Sequence, residues 1–330
     1  MSHVALHDAP DGDQAGRLRD HFSACAARFE EARPDVMVAF LDDHFENFGR
    51  PMMPALALAV GEEHAGPPPA YESWLRVSRR AIPGSSARAE ELLRSLVRGG
   101  FDICRFQKAE LGHNLIEPLR HFGDAAKAVP VIPIFVNVFT SPTPQMARVH
   151  DLGRAVAAAV DSWDERVLVI GTGGLSHSPL YWNEESPDTE FFRRMRKFQE
   201  GRLEYLAADG TLFSDMSARE IQLGEAGELS INEEWDRAFL DALARGNHGF
   251  VRDLDVDEMT QVAGAGSREA LCWAAVMGAI SEVGDPRPDI VGYEAVKPWI
   301  TGVGFAAYPV LAEPIERVDD QSVTGTPGGR

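Results

Sequence analysis

Residues 166–179 read RVLVIGTGGLSHSP, a short aliphatic run followed at once by a glycine-rich loop. The run has the length and β-branched content of a strand that is buried on both faces. Two further runs share this character, DVMVAFL at residues 35–41 and VPVIPIFVNV at residues 129–138. Amphipathic helical patterns occupy residues 15–32, before the run at 35–41, and residues 146–163, between the runs at 129–138 and 166–170. This alternation predicts an α/β fold whose central sheet is largely parallel or mixed and is flanked by helices.

The second half of the chain has a different composition. Residues 183–260 are rich in acidic and aromatic helical segments, which predict a helical layer that covers the sheet. Residues 311–330 are rich in Pro, Gly, Thr and Asp and have little to bury, so we expect a mobile tail there. The remaining residues, 1–310, are predicted to form a single α/β domain.

The overall composition restricts the possible partners. The chain has 330 residues, of which 44% are hydrophobic and 25% charged, as in soluble globular proteins. It contains no apolar run of the roughly 20 residues that a bilayer crossing needs, and its N-terminus does not resemble a secretion signal. We therefore expect a cytoplasmic protein. A formal net charge of -19 disfavours both nucleic acid and anionic membranes, so the predicted partner is a small molecule.

The loop of residues 171–179 has three candidate roles. A phosphate cradle needs a helix directly after the glycines, but Pro179 and the aromatic residues that follow it make a poor helix start. A nucleophile elbow needs the closing glycine of G-x-S-x-G, and Ser178 stands in its place. The third role is a close turn that presents His177 at the carboxyl end of a strand, where ligands collect in α/β sheets.

Three other segments carry candidate functional groups. Residues 41–48, LDDHFENF, surround His44 with three carboxylates, which is costly unless a cation or solvent compensates. His113 follows a glycine after the strand-like run FDICRF. Glu269 stands in the first turn of a helix that is predicted to begin at Ser267.

Each of these groups also has an ordinary structural explanation. His44 could be a solvated loop histidine, and His113 a turn residue with a satisfied side chain. Glu269 could simply favour its helix N-terminus through the macrodipole. Together, however, two histidines and a glutamate make up the ligand set of a facial triad on non-haem ferrous iron.

Most of the chain resembles the class III extradiol ring-cleavage dioxygenases. This superfamily includes protocatechuate 4,5-dioxygenase β-subunits, gallate dioxygenases and 2,3-dihydroxyphenylpropionate dioxygenases. The resemblance is carried by blocks in the same order, namely RPDVMVAFLDDHFENF, FDICRFQKAELGHNLIEPL, VPVIPIFVNVFTSPTP, VLVIGTGGLSHSP, SINEEWDRAFL, SREALCWAAVMGAI and PWITGVGFAAYP. It implies that His44 and Glu269 bind iron and that His177 and His113 form an acid–base pair.

Two features of the family pattern differ in this chain. The first iron-binding histidine of the family sits in an S-H-x-P-like turn, which Ser2-His3-Val4 resembles without the strand that normally precedes it. The resemblance therefore implies His3 as the third iron ligand, with His7 as the alternative. Gly112 stands where many relatives have an aspartate, directly before His113.

The function that this resemblance implies is extradiol cleavage of a catecholic or gallate-like aromatic acid. Dioxygen and one Fe(II) would open the ring to a semialdehyde-type acid, with His177 or His113 moving protons. We expect a homo-oligomer, with a small accessory subunit as a further possibility. Four aromatic side chains either line the substrate pocket or pack in the core: Phe45, Phe48, Tyr181 and Trp182.

Two other functions fit some of the same residues. A metal-free binding or scaffold protein of the same fold would explain the incomplete N-terminal histidine motif. A zinc hydrolase would use His44, Glu269 and a metal-bound water, but it gives no reason for the two further histidines, His113 and His177.

Overall fold

The computed structural model describes residues 12–311. This range leaves out His3 and His7. It also leaves out residues 312–330, which are the greater part of the predicted tail. The strands, in chain order, are β1 Val36–Asp42, β2 Leu56–Ala59, β3 Glu63–Gly66, β4 Arg80–Pro83, β5 Cys104–Phe106, β6 Val131–Val136, β7 Val167–Gly171, β8 Ile290–Val296 and β9 Thr301–Ala307. The helices are α1 Gly12–Ala32, α2 Glu72–Leu75, α3 Ser86–Arg98, α4 His113–His121, α5 Met146–Val160, α6 Glu190–Ala208, α7 Leu212–Glu225, α8 Glu233–Arg245, α9 His248–Asp253, α10 Val256–Ala263 and α11 Ala270–Glu282.

The central sheet has the strand order β5-β2-β6-β1-β7. β1 pairs in parallel with β6 on one side and with β7 on the other. β2 runs antiparallel to β6, and β5 runs parallel to β2. The predicted α/β fold with a mixed sheet is therefore confirmed. The hairpins β3-β4 and β8-β9 lie outside this sheet.

Alternate side chains of β1 enter two separate hydrophobic cores. Val36, Val38 and Phe40 join the core that contains residues of α3, α5, α8 and α11. Met37, Ala39 and Leu41 join the core that contains residues of α4, α6 and α7. β1 and β6 are buried throughout, as their sequences predict. The expectation of burial on both faces is wrong for β7, which is only half-buried because it lies at the edge of the sheet.

Helices dominate the region that was expected to cover the sheet. α6 and α7 contribute Phe198 and Met216 to one core, and α8 and α9 contribute Phe239 and Val251 to the other. This region therefore packs on both sides of the sheet. Among the described helices, none combines the length and the apolar character that a membrane crossing requires.

The helix that follows Glu269 begins later than its sequence suggests. Residues Ala265–Glu269 form a 3-10 turn, and α11 begins at Ala270 rather than at Ser267. The amide and the hydroxyl of Ser267 both donate to the carbonyl of Gly264, which closes the tight turn. Glu269 therefore stands at the junction of the turn and the helix.

Close contact between α5 and α11 sets the position of this junction. A Cβ atom on Gly153 of α5 would lie 1.7 Å from the carbonyl oxygen of Ala275. A Cβ atom on Gly278 of α11 would lie 1.9 Å from the carbonyl oxygen of His150. Only glycine allows the two backbones to approach so closely.

Gly278→Ala should lower the free energy of unfolding by about 1–3 kcal/mol or more, because the helices must separate to admit the methyl group. Gly16→Ala in α1 is the matched control, since its Cβ would meet no atom within 4 Å. The control should be neutral or stabilise the protein by up to about 1 kcal/mol. Urea unfolding of both variants measures the difference. Equal stability of the Gly278→Ala and Gly16→Ala variants would contradict the expected clash at Gly278.

Candidate active site

The loop after β1 holds His44 in the interior of the protein. The Asp43 carboxylate accepts hydrogen bonds from the backbone N–H groups of Asn47 and Phe48, at 3.0 and 2.9 Å. Phe45 has a φ of 66°, a left-handed conformation that is costly for a bulky residue. The Asp43 hydrogen bonds stabilise this tight loop, and His44 is only 1% exposed within it. The solvated alternative for His44 is therefore wrong.

His44 lies between two buried carboxylates. Its Nδ1 atom is 3.0 Å from Asp42 Oδ2, and its Nε2 atom is 3.5 Å from Glu269 Oε1. Neither ring nitrogen has a hydrogen bond of good geometry in the described part of the chain. Asp42 can orient the ring through Nδ1, as carboxylates commonly do for metal-binding histidines. Nε2 and the Glu269 carboxylate remain available to a shared cation.

His177 reaches the same site because β1 and β7 are adjacent parallel strands. Phe40 pairs with Gly171 at the carboxyl ends of these strands, so the two following loops lie side by side. His177 Nε2 is 3.3 Å from Glu269 Oε1. Its Nδ1 is 2.8 Å from the carbonyl oxygen of Leu175, so Nδ1 carries a hydrogen and donates it. In the neutral ring, Nε2 is then the atom that can accept a proton.

The glycines around His177 and Glu269 allow close packing. A Cβ atom on Gly266 would lie 2.2 Å from the His177 ring, and one on Gly173 would lie 2.6 Å from the Cβ of Glu269. Gly173 also has a φ of 131°, and the backbone N–H of Gly174 donates to Glu269 Oε2. The glycine-rich loop thus surrounds a histidine and a carboxylate.

Asp236 of α8 supports the loop that carries His177, a function that the sequence analysis missed. Its carboxylate accepts three hydrogen bonds, each of 2.7 Å, from the Ser176 backbone N–H, the Ser176 hydroxyl and the Tyr293 hydroxyl. Asp236 is fully buried. It lies in the segment SINEEWDRAFL, where it cannot be distinguished by charge from the neighbouring acidic residues of an amphipathic helix.

His113 reaches the site by a different route from the one the sequence suggests. β5 runs antiparallel to β1. Its carboxyl end therefore lies at the opposite end of the strands from the carboxyl end of β1. His113 is instead the first residue of α4. The side-chain amide of Asn114 donates to the carbonyl of Asp42, at 2.6 Å, which joins α4 to the end of β1. The rings of His113 and His44 are consequently 4.5 Å apart.

Aromatic side chains surround this histidine pair. Phe139 and Tyr181 have ring centroids 5.1 and 6.5 Å from that of His44. Trp74 and Tyr71 lie 5.3 and 6.4 Å from His113. Of these four, only Tyr181 was among the expected pocket residues.

The other three expected pocket residues have packing roles. Phe45 and Phe48 are buried in one of the two hydrophobic cores. The guanidinium groups of Arg50 and Arg196 lie over the Trp182 ring, 4.8 and 4.7 Å from its centroid. For these three residues, core packing or cation–π stacking is the observed role.

The protein surroundings shift the pKa values of the site residues in different directions. Burial tends to lower the pKa of His44, but the nearby carboxylates, first of all Asp42, outweigh it and raise that pKa to about 9. Burial tends to raise the pKa of Glu269, but His177 and His44 hold it well below its usual range. Burial and the neighbouring His44 lower the pKa of His113. Glu269 is therefore an anion, and His113 is neutral at neutral pH.

Two groups of ligand atoms are close enough to hold a metal ion. The nitrogen and oxygen donors of Asp42, His44 and Glu269 lie within 4.8 Å of one another, as do those of His44, Glu46 and His113. All five residues are buried. Burying several carboxylates together is costly without a compensating cation. The donor types are those of non-haem iron sites, so the residues fit a metal.

The sequence profile of one family matches residues 1–304, and this family is described as the catalytic LigB subunit of aromatic ring-opening dioxygenase. The chain belongs to this family. It is thus an enzyme of the ring-opening dioxygenase class, and the resemblance found in the sequence is confirmed.

Curated relatives carry a more particular name, 2,3-dihydroxyphenylpropionate/2,3-dihydroxicinnamic acid 1,2-dioxygenase. The protein from Rhodococcus globerulus is 30% identical over 92% of this chain and 94% of its own length. The protein from Rhodococcus rhodochrous is also 30% identical, over 95% of this chain and 98% of its own length. The protein from Photorhabdus laumondii is 26% identical over 91% of both chains.

Asp236→Ala should lower the free energy of unfolding by about 3 kcal/mol, because it leaves three donors without an acceptor, two on the buried Ser176 and one on the half-buried Tyr293. Tyr293→Phe removes only one of these donors and should cost about 1 kcal/mol. Asp241→Ala, on the same helix, is the matched control because its side chain is exposed and its contact with Arg245 is a surface ion pair. Denaturant unfolding that gave the same stability for the two aspartate variants would contradict this role.

Proposed function

We propose that this protein opens the aromatic ring of a catechol that carries an acidic side chain, using dioxygen at a single ferrous ion. The observation that carries the proposal is the buried pair of His44 Nε2 and Glu269 Oε1, 3.5 Å apart, with Asp42 behind the histidine ring. His3 is the proposed third ligand, with His7 as the alternative. Membership of the ring-opening dioxygenase family supports the same conclusion.

A ferrous ion bound at such a site would lower the pKa values of the catechol hydroxyls and offer an open position to dioxygen. The residues of the chain then have three tasks. His44 and Glu269 bind the ion, and Asp42 orients His44. The aromatic side chains near His44 and His113, namely Phe139, Tyr181, Trp74 and Tyr71, exclude water and favour a flat ring.

The two remaining histidines move protons. His177 lies against Glu269, and its Nε2 can accept a proton because Nδ1–H is bound to the carbonyl of Leu175. His113 lies against His44, and burial favours its neutral form. The pair thus flanks the proposed ligands, one beside each of them. This arrangement would place one proton-transfer group beside each proposed iron ligand.

His44→Ala and Glu269→Gln should each abolish stoichiometric iron binding, since the first removes a ligand atom and the second replaces an anionic carboxylate by a neutral amide. His177→Ala should keep its iron but lower the rate of oxygen uptake with 2,3-dihydroxyphenylpropionate by about 10²–10⁴-fold. His121→Ala, at the far end of α4 from His113, is the control and should keep both properties. Metal analysis after anaerobic reconstitution and an oxygen electrode provide the two measurements.

The results of this test separate the possible errors. Loss of iron from His177→Ala would make His177 a ligand rather than a base, which its 3.3 Å distance from Glu269 also allows. Native protein that binds no iron and consumes no oxygen with any catechol would contradict the proposed function itself.

Substrate preference should follow that of the named relatives. We expect kcat/KM for 2,3-dihydroxyphenylpropionate or 2,3-dihydroxycinnamate to exceed that for unsubstituted catechol at least about 10-fold, because contacts to the side chain are lost in catechol. Gallate and protocatechuate, whose carboxylate is attached directly to the ring, should also be poorer substrates. A panel of these compounds, followed by oxygen uptake, measures the preference. A higher kcat/KM for gallate or protocatechuate would contradict the assignment of the substrate class.

A further inference from the structure

Gly112 leaves a space that another side chain fills. It is the residue directly before α4, and its φ of -80° and ψ of -170° are open to any amino acid. Glycine is therefore not required by the backbone at this position. A Cβ atom on Gly112 would, however, lie 2.4 Å from Glu46 Oε1 and 3.0 Å from Glu46 Cδ. The Glu46 carboxylate occupies the volume in which a side chain of residue 112 would begin.

Glu46 is buried, with an exposure of only 4%. Its Oε2 atom accepts a 2.7 Å hydrogen bond from the backbone N–H of His44. Its Oε1 atom has no hydrogen bond of good geometry within residues 12–311, and the Tyr71 hydroxyl is a polar group that interacts with this carboxylate. A carboxylate oxygen of Glu46 and ring nitrogens of His44 and His113 lie within 4.8 Å of one another. A buried carboxylate with one unpaired oxygen is unfavourable for folding alone.

The location of this carboxylate suits the start of α4. Gly112 provides no capping side chain, so the first N–H groups of the helix lack the usual oxygen acceptor at this position. Within the described residues no N–H group of α4 donates to Glu46, so its carboxylate contacts this terminus by packing against Gly112, the residue directly before His113.

We infer that Glu46 is a positioning residue for His113, whose carboxylate takes the place of the side chain missing at Gly112 and joins the His44 loop to the start of α4. This inference rests on the proposed acid–base role of His113. It predicts that the carboxylate is needed close to His113 but can come from either position. A side chain at both positions would collide.

Glu46→Ala should lower kcat at least about 10-fold, with KM for 2,3-dihydroxyphenylpropionate changed less than about 3-fold and with iron content unchanged. Glu46→Gln keeps the shape of the side chain and should lose less. The double variant Glu46→Ala/Gly112→Asp returns a carboxylate to this place from the other side and should recover most of kcat. Glu63→Ala is the matched control, because Glu63 is exposed and pairs with Lys108 at the surface.

A second measurement tests the packing without turnover or metal. In the metal-free protein, Gly112→Ala should lower Tm by about 3 °C or more, because its methyl group meets the Glu46 carboxylate. The same substitution in the Glu46→Ala background should leave Tm nearly unchanged. This cycle measures the direct contact between the two positions.

The inference is overturned by full kcat in Glu46→Ala, by failure of the folded Glu46→Ala/Gly112→Asp variant to recover activity, or by equal Tm changes in the two backgrounds. Normal turnover in Glu46→Ala would overturn this inference and leave the proposed function intact. Absence of turnover in the native, iron-loaded enzyme would overturn the proposed function, and with it the role of Glu46.

Discussion

The buried carboxylate of Glu269 is the group on which the rest of the site depends. It lies 3.5 Å from His44 and 3.3 Å from His177, and it is almost completely shielded from water. A buried carboxylate needs compensation by positive charge or by hydrogen bonds, and removing one partner of such a pair is strongly destabilising. The nearby histidines and the backbone N–H of Gly174 provide part of this compensation. A metal ion would provide the rest.

Three parts of the fold converge on this carboxylate. The parallel pairing of β1 with β7 sets two loops side by side and so brings His44 and His177 together. The glycine-mediated contact between α5 and α11 fixes the turn that ends in Glu269. The hydrogen bond from Asn114 to the end of β1 brings α4, and with it His113, to the same place. Each part uses backbone packing or a hydrogen bond to the backbone, contacts that favour a preorganised site.

Much of this arrangement could be predicted from the sequence, because its signals are local. β1, β6 and β7 are continuous aliphatic runs, and residues at the carboxyl ends of parallel strands were expected to meet. The route of His113 could not be predicted, since it depends on the antiparallel direction of β2 and β5, which are only four and three residues long. Asp236 was missed because its partners, Ser176 and Tyr293, are distant in the chain. Glu46 was seen only as one of three carboxylates near His44, and its contact with Gly112 requires coordinates.

The most direct test of the account is a crystal structure of the protein after anaerobic loading with Fe(II), with anomalous diffraction measured at the iron absorption edge. The account predicts one iron peak within bonding distance of His44 Nε2 and a carboxylate oxygen of Glu269, with Asp42 and His113 not bonded to it. A peak bonded to Glu46 and His113 instead, or the absence of a peak near Glu269, would contradict it.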